Sequence, residues 1–433
     1  MLTLARELVR RGHSATFLHM PDAEALVRDG GVGFHPVGHD THQLGHLAGM
    51  VRRMAAIDGF MGLPAIIRDV AQATAMLVRD LPAALRAIGA DIIVCDGTEA
   101  AGGLVAAHLG LPIVTVANAL PLNREPSVPP PFTGWRYDTS RWGLERNSGG
   151  YRVSDILMRP HRAVIAEAAE RWKLGSRRTV ADCLSPFAEI SQTVAGFDFP
   201  RAELPATFHH VGPMREARAQ HGGVGGFELP KPDGRPLAYA SLGTLQGGRL
   251  GIFRRIAAAA DQIGLRLVLA HGGRLSDEEA ASLPGTPAAF AYVPQDEVLA
   301  CADIAFLNGG LNTVMDALTV AVPMVVVPIA FEQAAIAARL ERVGAGRRVS
   351  RRFLTAGRLA RAAAGILDGP GFRVAARGLA NEIAKAGGAV HASDIVEAVL
   401  STSRPVTQVQ AAQLKASRET ARPAAPASEE RAA

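Results

Sequence analysis

Short apolar runs that end in small-residue turns, each followed by an amphipathic helix, constrain this chain more than any other feature. Asp91–Cys95, Leu237–Ser241, Leu265–Ala270, Ile304–Leu307 and Met324–Val327 are such runs. Their length suits strands buried on both faces. Alternation with helices requires parallel pairing, because a helix must carry the chain back across the sheet. The pattern occurs in two stretches. Between them, Gly222, Gly223, Gly225, Gly226, Pro230, Pro232 and Pro236 gather in residues 215–236, which read as a linker. At 433 residues the chain also exceeds the roughly 250–300 residues at which a single core stops growing. The expected architecture is α/β, with two Rossmann-like domains, 1–214 and 237–403, facing a ligand-binding cleft. The last helix of the second domain is expected to pack back on the first. Residues 404–433, polar and rich in Ala and Pro, are expected to form a disordered tail.

The first half has two irregularities. Met1–Arg11 reads as a helix, with Leu2, Leu4, Ala5, Leu8 and Val9 on one face, and the strand Ala15–His19 comes only after it. An α/β sheet normally opens with a strand. Further on, Asp91–Cys95 reads as a strand and Gly102–Leu109 as a helix, but residues 123–150 show no period and read as a long functional loop.

Composition excludes several classes. Aromatic residues make up 5% and do not interleave with basic ones, which argues against a nucleic-acid binder. The net charge of +5 comes mostly from Arg scattered on helix faces. Cys95, Cys183 and Cys301 are far apart and odd in number, so they read as reduced, buried thiols. Neither a membrane-spanning run nor a signal peptide is visible, and a cytoplasmic location is expected. His35, His39, His42 and His46 have a helical spacing, but Pro36, Gly38 and Gly45 break it, and no metal site is expected.

The chemistry concentrates between Tyr292 and Gln333. Leu307 ends a strand, Asn308–Gly310 is a tight turn, and a helix begins near Thr313. Small residues let the backbone approach a ligand, and free N–H groups at a helix start favour phosphate. Asn312 and Thr313 suit helix capping. Asp316, about one turn in, suits a ribose diol. A second strand-to-helix turn, Ser241-Leu242-Gly243-Thr244, offers further N–H and hydroxyl donors.

This stretch resembles the donor-binding signature of the UDP-glycosyltransferases of GT-B type. That signature has an aromatic-x-Pro-Gln at Tyr292–Gln295, a His-Gly-Gly-x-Asn-Thr matched by Asn308–Thr313, an acidic residue at Asp316, Val322-Pro323, Pro328, and Glu332-Gln333. Four further stretches, Gly33–Gly38, Ala119–Pro126, Phe197–Arg201 and Ser241–Gly247, are similar to zeaxanthin (carotenoid) glucosyltransferases in particular. The resemblance spans roughly residues 1–402. It implies that Tyr292 stacks on uracil and that Gln295 lies near the nucleoside. Gly310, Asn312 and Thr313 would line the diphosphate, with Ser241, Gly243 and Thr244 across from it. Asp316 would take the ribose, and Glu332 and Gln333 the sugar hydroxyls. It further implies inverting, metal-independent transfer of glucose from UDP-glucose to a carotenoid hydroxyl. UDP-glucose would be a co-substrate, with no cofactor. The apolar acceptor implies reversible contact with the inner membrane surface. A polyketide or sterol acceptor, or a member that only binds nucleotide-sugar or lipid, fits the same signature. A nucleotide-sugar epimerase shares the fold, but residues 123–150 and the signature suit a transferase better.

Three departures stand out. Asn308 replaces the family's His and stays neutral. Asp316 and Glu332 exchange acid lengths relative to the common pattern. The family's first strand and the loop bearing its catalytic His find no counterpart, because Met1 falls inside the first helix of the resemblance and none of the 13 His residues takes that place. Asp96 matches the Asp that orients that His. The N-terminal domain is thus expected to lack its first strand, and this chain is expected to bind donor but transfer sugar poorly.

Overall fold

The computed structural model describes residues 1–28, 30–56, 62–216 and 227–421. Much of the proposed 215–236 linker, including the Gly222–Gly226 cluster, lies outside the described residues, as does 422–433. The chain opens with the helix Leu2–Arg10, whose Leu4, Ala5 and Leu8 are buried.

Among the described residues, the N-terminal half carries six strands. They are β1 (Thr16–His19), β2 (Gly33–Pro36), β3 (Ile93–Asp96), β4 (Ile113–Ala117), β5 (Ala188–Ser191) and β6 (Phe208–His210). β1 pairs with β2 in one parallel sheet, and β3-β4-β5-β6 form another, all parallel. Asp96, expected just past a strand, is the last residue of β3 and aligns with Val116 of β4.

The C-terminal half adds β7 (Leu237–Ser241), β8 (Arg266–Ala270), β9 (Ala288–Phe290), β10 (Ile304–Leu307), β11 (Met324–Val326) and β12 (Gly346–Arg348). They form one sheet in the order β12-β11-β10-β7-β8-β9, every pair parallel. Starting from β7, the chain builds outward one way and then the other, which is the doubly wound Rossmann order. β7 and β10 are buried along their whole length. Helices cover both faces of this sheet, as central strands buried like β7 and β10 require.

The helix Gly388–Thr402 returns to the N-terminal half. Its Ala392, Ile395, Val396 and Val399 pack with Leu4, Leu8, Val114 and Ile190, while Arg11 Nη1 bonds Asp394 and Glu397, each at 2.7 Å.

Three expectations need correction. Residues 123–150 are irregular only as far as Ser140, and a helix runs from Arg141 to Leu157. Its buried face is Gly143, Asn147 and Gly150, so no apolar period marks it. Those small residues are needed, since a Cβ on Gly150 would lie 2.7 Å from the Trp135 ring. Residues 404–421, expected to be disordered, hold the helix Gln408–Ala421. The segment anchors on the edge strand β6, where Gln408 donates its backbone N–H to Ala206 O at 2.9 Å and Val406 and Ala411 are buried. Finally, all three cysteines are free, but of the three Cys183 alone is buried; Cys95 is partly exposed and Cys301 exposed.

Candidate active site

β7 and β10 are neighbours at the point where the strand order reverses. In open α/β sheets, ligands bind beyond the carboxyl ends of such a pair. Ser241 and Leu307 stand opposite each other there. After β10, Gly309 takes φ +87, and a Cβ on it would lie 2.9 Å from Val326. This left-handed step sends the chain into the helix Leu311–Thr319, with Gly310 at the cap position and no side-chain cap. Asn312 and Thr313 therefore sit in the first turn and do not cap it. The helix start keeps its free N–H groups for an anion.

Beneath these turns lies a buried polar knot. Asn308 donates from Nδ2 to Leu242 O at 2.6 Å and to Gln246 Oε1 at 3.1 Å, and its Oδ1 accepts from Gly310 N–H at 3.0 Å. Gln333 donates to the same Gln246 oxygen at 3.1 Å and accepts from the N–H groups of Ile329 and Ala330. Asn308, Gln246 and Gln333 are all buried. The side chains of Asn308 and Gln333 thus brace the turns around the site. Glu332 stands just ahead of Gln333, and burial raises its pKa above the ordinary carboxylate range.

The wall facing the cleft is a hydrogen-bonded series. Tyr239 hydroxyl donates to Gln295 Oε1 at 3.0 Å, and Gln295 Nε2 donates to Asp316 Oδ2 at 2.8 Å. Asp316 Oδ1 accepts from Arg215 Nε at 2.6 Å. Ser241 Oγ accepts from Gly243 N–H at 3.2 Å, and Thr244 is exposed beside it. Tyr292 is 60% exposed, with its hydroxyl on Gly272 O at 3.2 Å. Its ring is free for stacking.

On the N-terminal side, Asp96 Oδ1 accepts from Thr98 N–H at 2.8 Å and from the Thr98 hydroxyl at 2.7 Å. Its Oδ2 accepts from Asn118 Nδ2 at 2.6 Å. Gln192 Nε2 in turn donates to Asn118 Oδ1 at 2.6 Å, and Gln192 Oε1 accepts from Met214 N–H at 3.3 Å. Met214 precedes Arg215, so a continuous series joins Asp96 to Asp316 across the two halves. Asn118, Gln192, Arg215 and Gln246 were not found by reading the sequence. Each is polar, stands alone in sequence, and meets its partners only through the fold.

The long segment also reaches across, with Arg348 Nη1 donating to Gly134 O at 2.7 Å. No group of three or more His, Cys, Asp or Glu residues suited to a metal occurs among the described residues.

Two Rossmann-like halves meeting over paired strand-end turns are the arrangement of the GT-B glycosyltransferases. The crystal structure of CalG4, the calicheamicin glycosyltransferase, matches with a TM-score of 0.70 over 93% of this chain and 95% of its own, at 23% identity. That likeness shows the fold. A family described as "Erythromycin biosynthesis protein CIII-like, C-terminal domain" matches residues 258–399. Zeaxanthin glucosyltransferase of Pantoea ananas is 40% identical over 405 residues, 93% of each chain. Zeaxanthin glucosyltransferase of Pseudescherichia vulneris is 36% identical over 412 residues, 93% of this chain and 95% of its own. The chain belongs to the UDP-glycosyltransferase family of GT-B fold, with the zeaxanthin glucosyltransferases, and is a glycosyltransferase.

Proposed function

We propose that this enzyme transfers glucose from UDP-glucose to a hydroxyl of a zeaxanthin-like carotenoid, inverting the anomeric centre and using no metal. The observation that carries this reading is the 40% identity, across 93% of both chains, to an enzyme named for glucosyl transfer to zeaxanthin. The uracil would stack on Tyr292, the ribose diol would bond Asp316 beside Gln295, and the diphosphate would lie along Gly310 and meet the N–H groups at Leu311–Thr313. Ser241, Gly243 and Thr244 would close over it, and Glu332 would face the sugar. Such donors meet the anionic charge without a metal ion.

The acceptor oxygen attacks the anomeric carbon from the face opposite UDP. The bond from that carbon to the β-phosphate oxygen breaks, and its electron pair leaves with UDP. The hydroxyl proton passes to a base. Asp96, fixed by Thr98 and Asn118, would orient that base; none of the 13 His residues takes the place of the family's His, so we expect glucoside to form slowly.

No helix among the described residues is long and apolar enough to cross a membrane. We place the enzyme in the cytoplasm, in reversible contact with the inner membrane surface. The exposed Trp142, Val153, Ile156 and Leu157 on one helix support that contact. The test is an assay with UDP-glucose and zeaxanthin in detergent micelles. Glucoside should form, chelator should leave the rate unchanged, and Asp316→Asn should raise the donor KM. Preference for dTDP-glucose, or for a sterol or polyketide acceptor, would replace the finer reading.

A further inference from the structure

Arg215 is the residue that the proposed chemistry leaves without a role. Its backbone is anchored, since Met214 is buried and bonded to Gln192. Its side chain is 40% exposed and lies along the cleft wall. There Nε donates to Asp316 Oδ1 at 2.6 Å, and Nη2 lies 3.2 Å from Asn312 O and 3.4 Å from Asn312 Oδ1. Among the described residues, the remaining nitrogen, Nη1, bonds only Met214 O, at 3.3 Å.

This position is electrostatically awkward. Asn312 is in the first turn of the helix Leu311–Thr319, where the helix dipole presents its positive end. A guanidinium there is repelled by the dipole and held by Asp316. An anion placed between the two would satisfy both. Asp316 meanwhile has Oδ2 on Gln295 and Oδ1 on Arg215, so ribose hydroxyls must compete with Arg215 for it. The neighbouring Asn308 contributes no charge, and both Nδ2 bonds are made within the protein.

We propose that Arg215 is a donor-binding residue that Asp316 holds in waiting. When a ribose diol takes Asp316, the guanidinium passes to the adjacent diphosphate and supplies the positive charge that Asn308 lacks. The proposal rests on the donor-site reading above. It predicts opposite effects on two ligands. Uridine carries no phosphate and only competes with Arg215 for Asp316, whereas UDP also gains the guanidinium.

The experiment is calorimetric titration of wild type, Arg215→Ala and Arg215→Lys with uridine and with UDP, after melting curves confirm folding. Arg215→Ala should bind UDP roughly tenfold to a hundredfold more weakly, as loss of a charge-assisted hydrogen bond implies. It should bind uridine as tightly as wild type or tighter. Arg215→Lys, which keeps the charge but loses the planar fork, should fall between for UDP. Equal weakening of both ligands would show a merely structural role and overturn the proposal, as would unchanged UDP affinity in both variants. Failure of wild type to bind UDP or dTDP at all would instead sink the donor-site reading, and this proposal with it.

Discussion

Asp198 of the N-terminal half and Arg339 of the C-terminal half meet at 2.6 Å, with side chains only 2% and 1% exposed. Arg201 reaches the other Asp198 oxygen at 2.8 Å. Arg339 also lies 4.2 Å above the Phe199 ring, and Arg342 donates to Gly196 O and Asp198 O. The stretch Phe197–Arg201 is therefore a clamp between the halves. It fixes how the N-terminal half faces the C-terminal half.

Removing the carboxylate charge should be costly. Burial alone would raise the Asp198 pKa, but the Arg339 and Arg201 charges overcome it and lower the pKa from 3.8 to about 2. Asp198→Asn leaves two arginines short of their counter-charge. A lost partner in a buried pair costs about 3–5 kcal/mol. The melting temperature at pH 7 should fall sharply. Because the folded pKa is depressed, the stabilisation is present above 3.8 and is lost as pH falls through about 2. Wild type and variant should therefore converge in acid. A variant that melts like wild type at pH 7 would show that the clamp contributes nothing.

Glu189 behaves in the opposite sense. It is a buried residue of β5, and its Oε2 accepts from Asn123 Nδ2 at 3.0 Å. Burial raises its pKa from 4.5 to about 7, against the pull of Asn123 and Arg201. Below 4.5 the group is protonated whether the chain is folded or not. As pH rises from 4.5 to about 7, the folded state resists losing the proton and stability declines, then levels off. Glu189→Gln should abolish that slope and be more stable at pH 8, by up to about 3 kcal/mol. Melting temperatures of both proteins from pH 4.5 to 8 provide the check, and parallel profiles would contradict it.

Gln246, Asn308 and Gln333 should act as one unit, because Gln246 Oε1 accepts from both of the others. Removing Gln246 frees donors on both partners, and removing either partner also loosens Gln246. A double-mutant cycle of Gln246→Ala and Asn308→Ala should show coupling of about 1 kcal/mol or more. Both single variants should also weaken UDP binding by loosening the turns. Additive losses would mean that the three amides stabilise their turns independently.

The four inner strands of the C-terminal sheet were legible because they are mostly apolar, whereas the short edge strands β9 and β12, only partly buried and in β12 made of Gly-Arg-Arg, carry no such signal. Leu237–Ser241 and Ile304–Leu307 were read to the residue, and Asn308–Gly310 marked the turn after β10. Other features were hidden for identifiable reasons. The Arg141–Leu157 helix buries Gly143, Asn147 and Gly150, so its inner face carries no apolar signal. The 404–421 segment is polar because most of it is exposed, and only residues such as Val406 and Ala411 hold it down. Arg215 sat in a stretch whose Gly and Pro content announced only a linker. Its partner Asp316 is 101 positions away, and no local pattern links them. Likewise the series from Asp96 through Asn118 and Gln192 depends on parallel strand ends that only the folded sheet brings side by side.

The proposed membrane contact has a specific location to test. On the helix Arg141–Leu157, Trp142 is 81% exposed, Val153 55%, Ile156 54% and Leu157 38%. Val153 lies about three turns beyond Trp142, and Ile156 one turn further, so these side chains share one stripe. Arg152 and Arg159 are exposed beside it, and Arg141 is exposed there in an ion pair with Glu145. An exposed apolar stripe bordered by arginines suits an anionic lipid surface, with Trp at the headgroup level and the cations on lipid phosphates. The enzyme should sediment with phosphatidylglycerol-rich vesicles at low salt and be released as salt rises. Trp142→Ala combined with Ile156→Ser should reduce that binding by roughly tenfold, as the loss of two buried apolar side chains allows. Transfer to a micellar acceptor should be unchanged, because neither residue touches the donor turns or Asp96. Vesicle binding that survives both substitutions would move the contact elsewhere, and absence of binding by wild type would refute it.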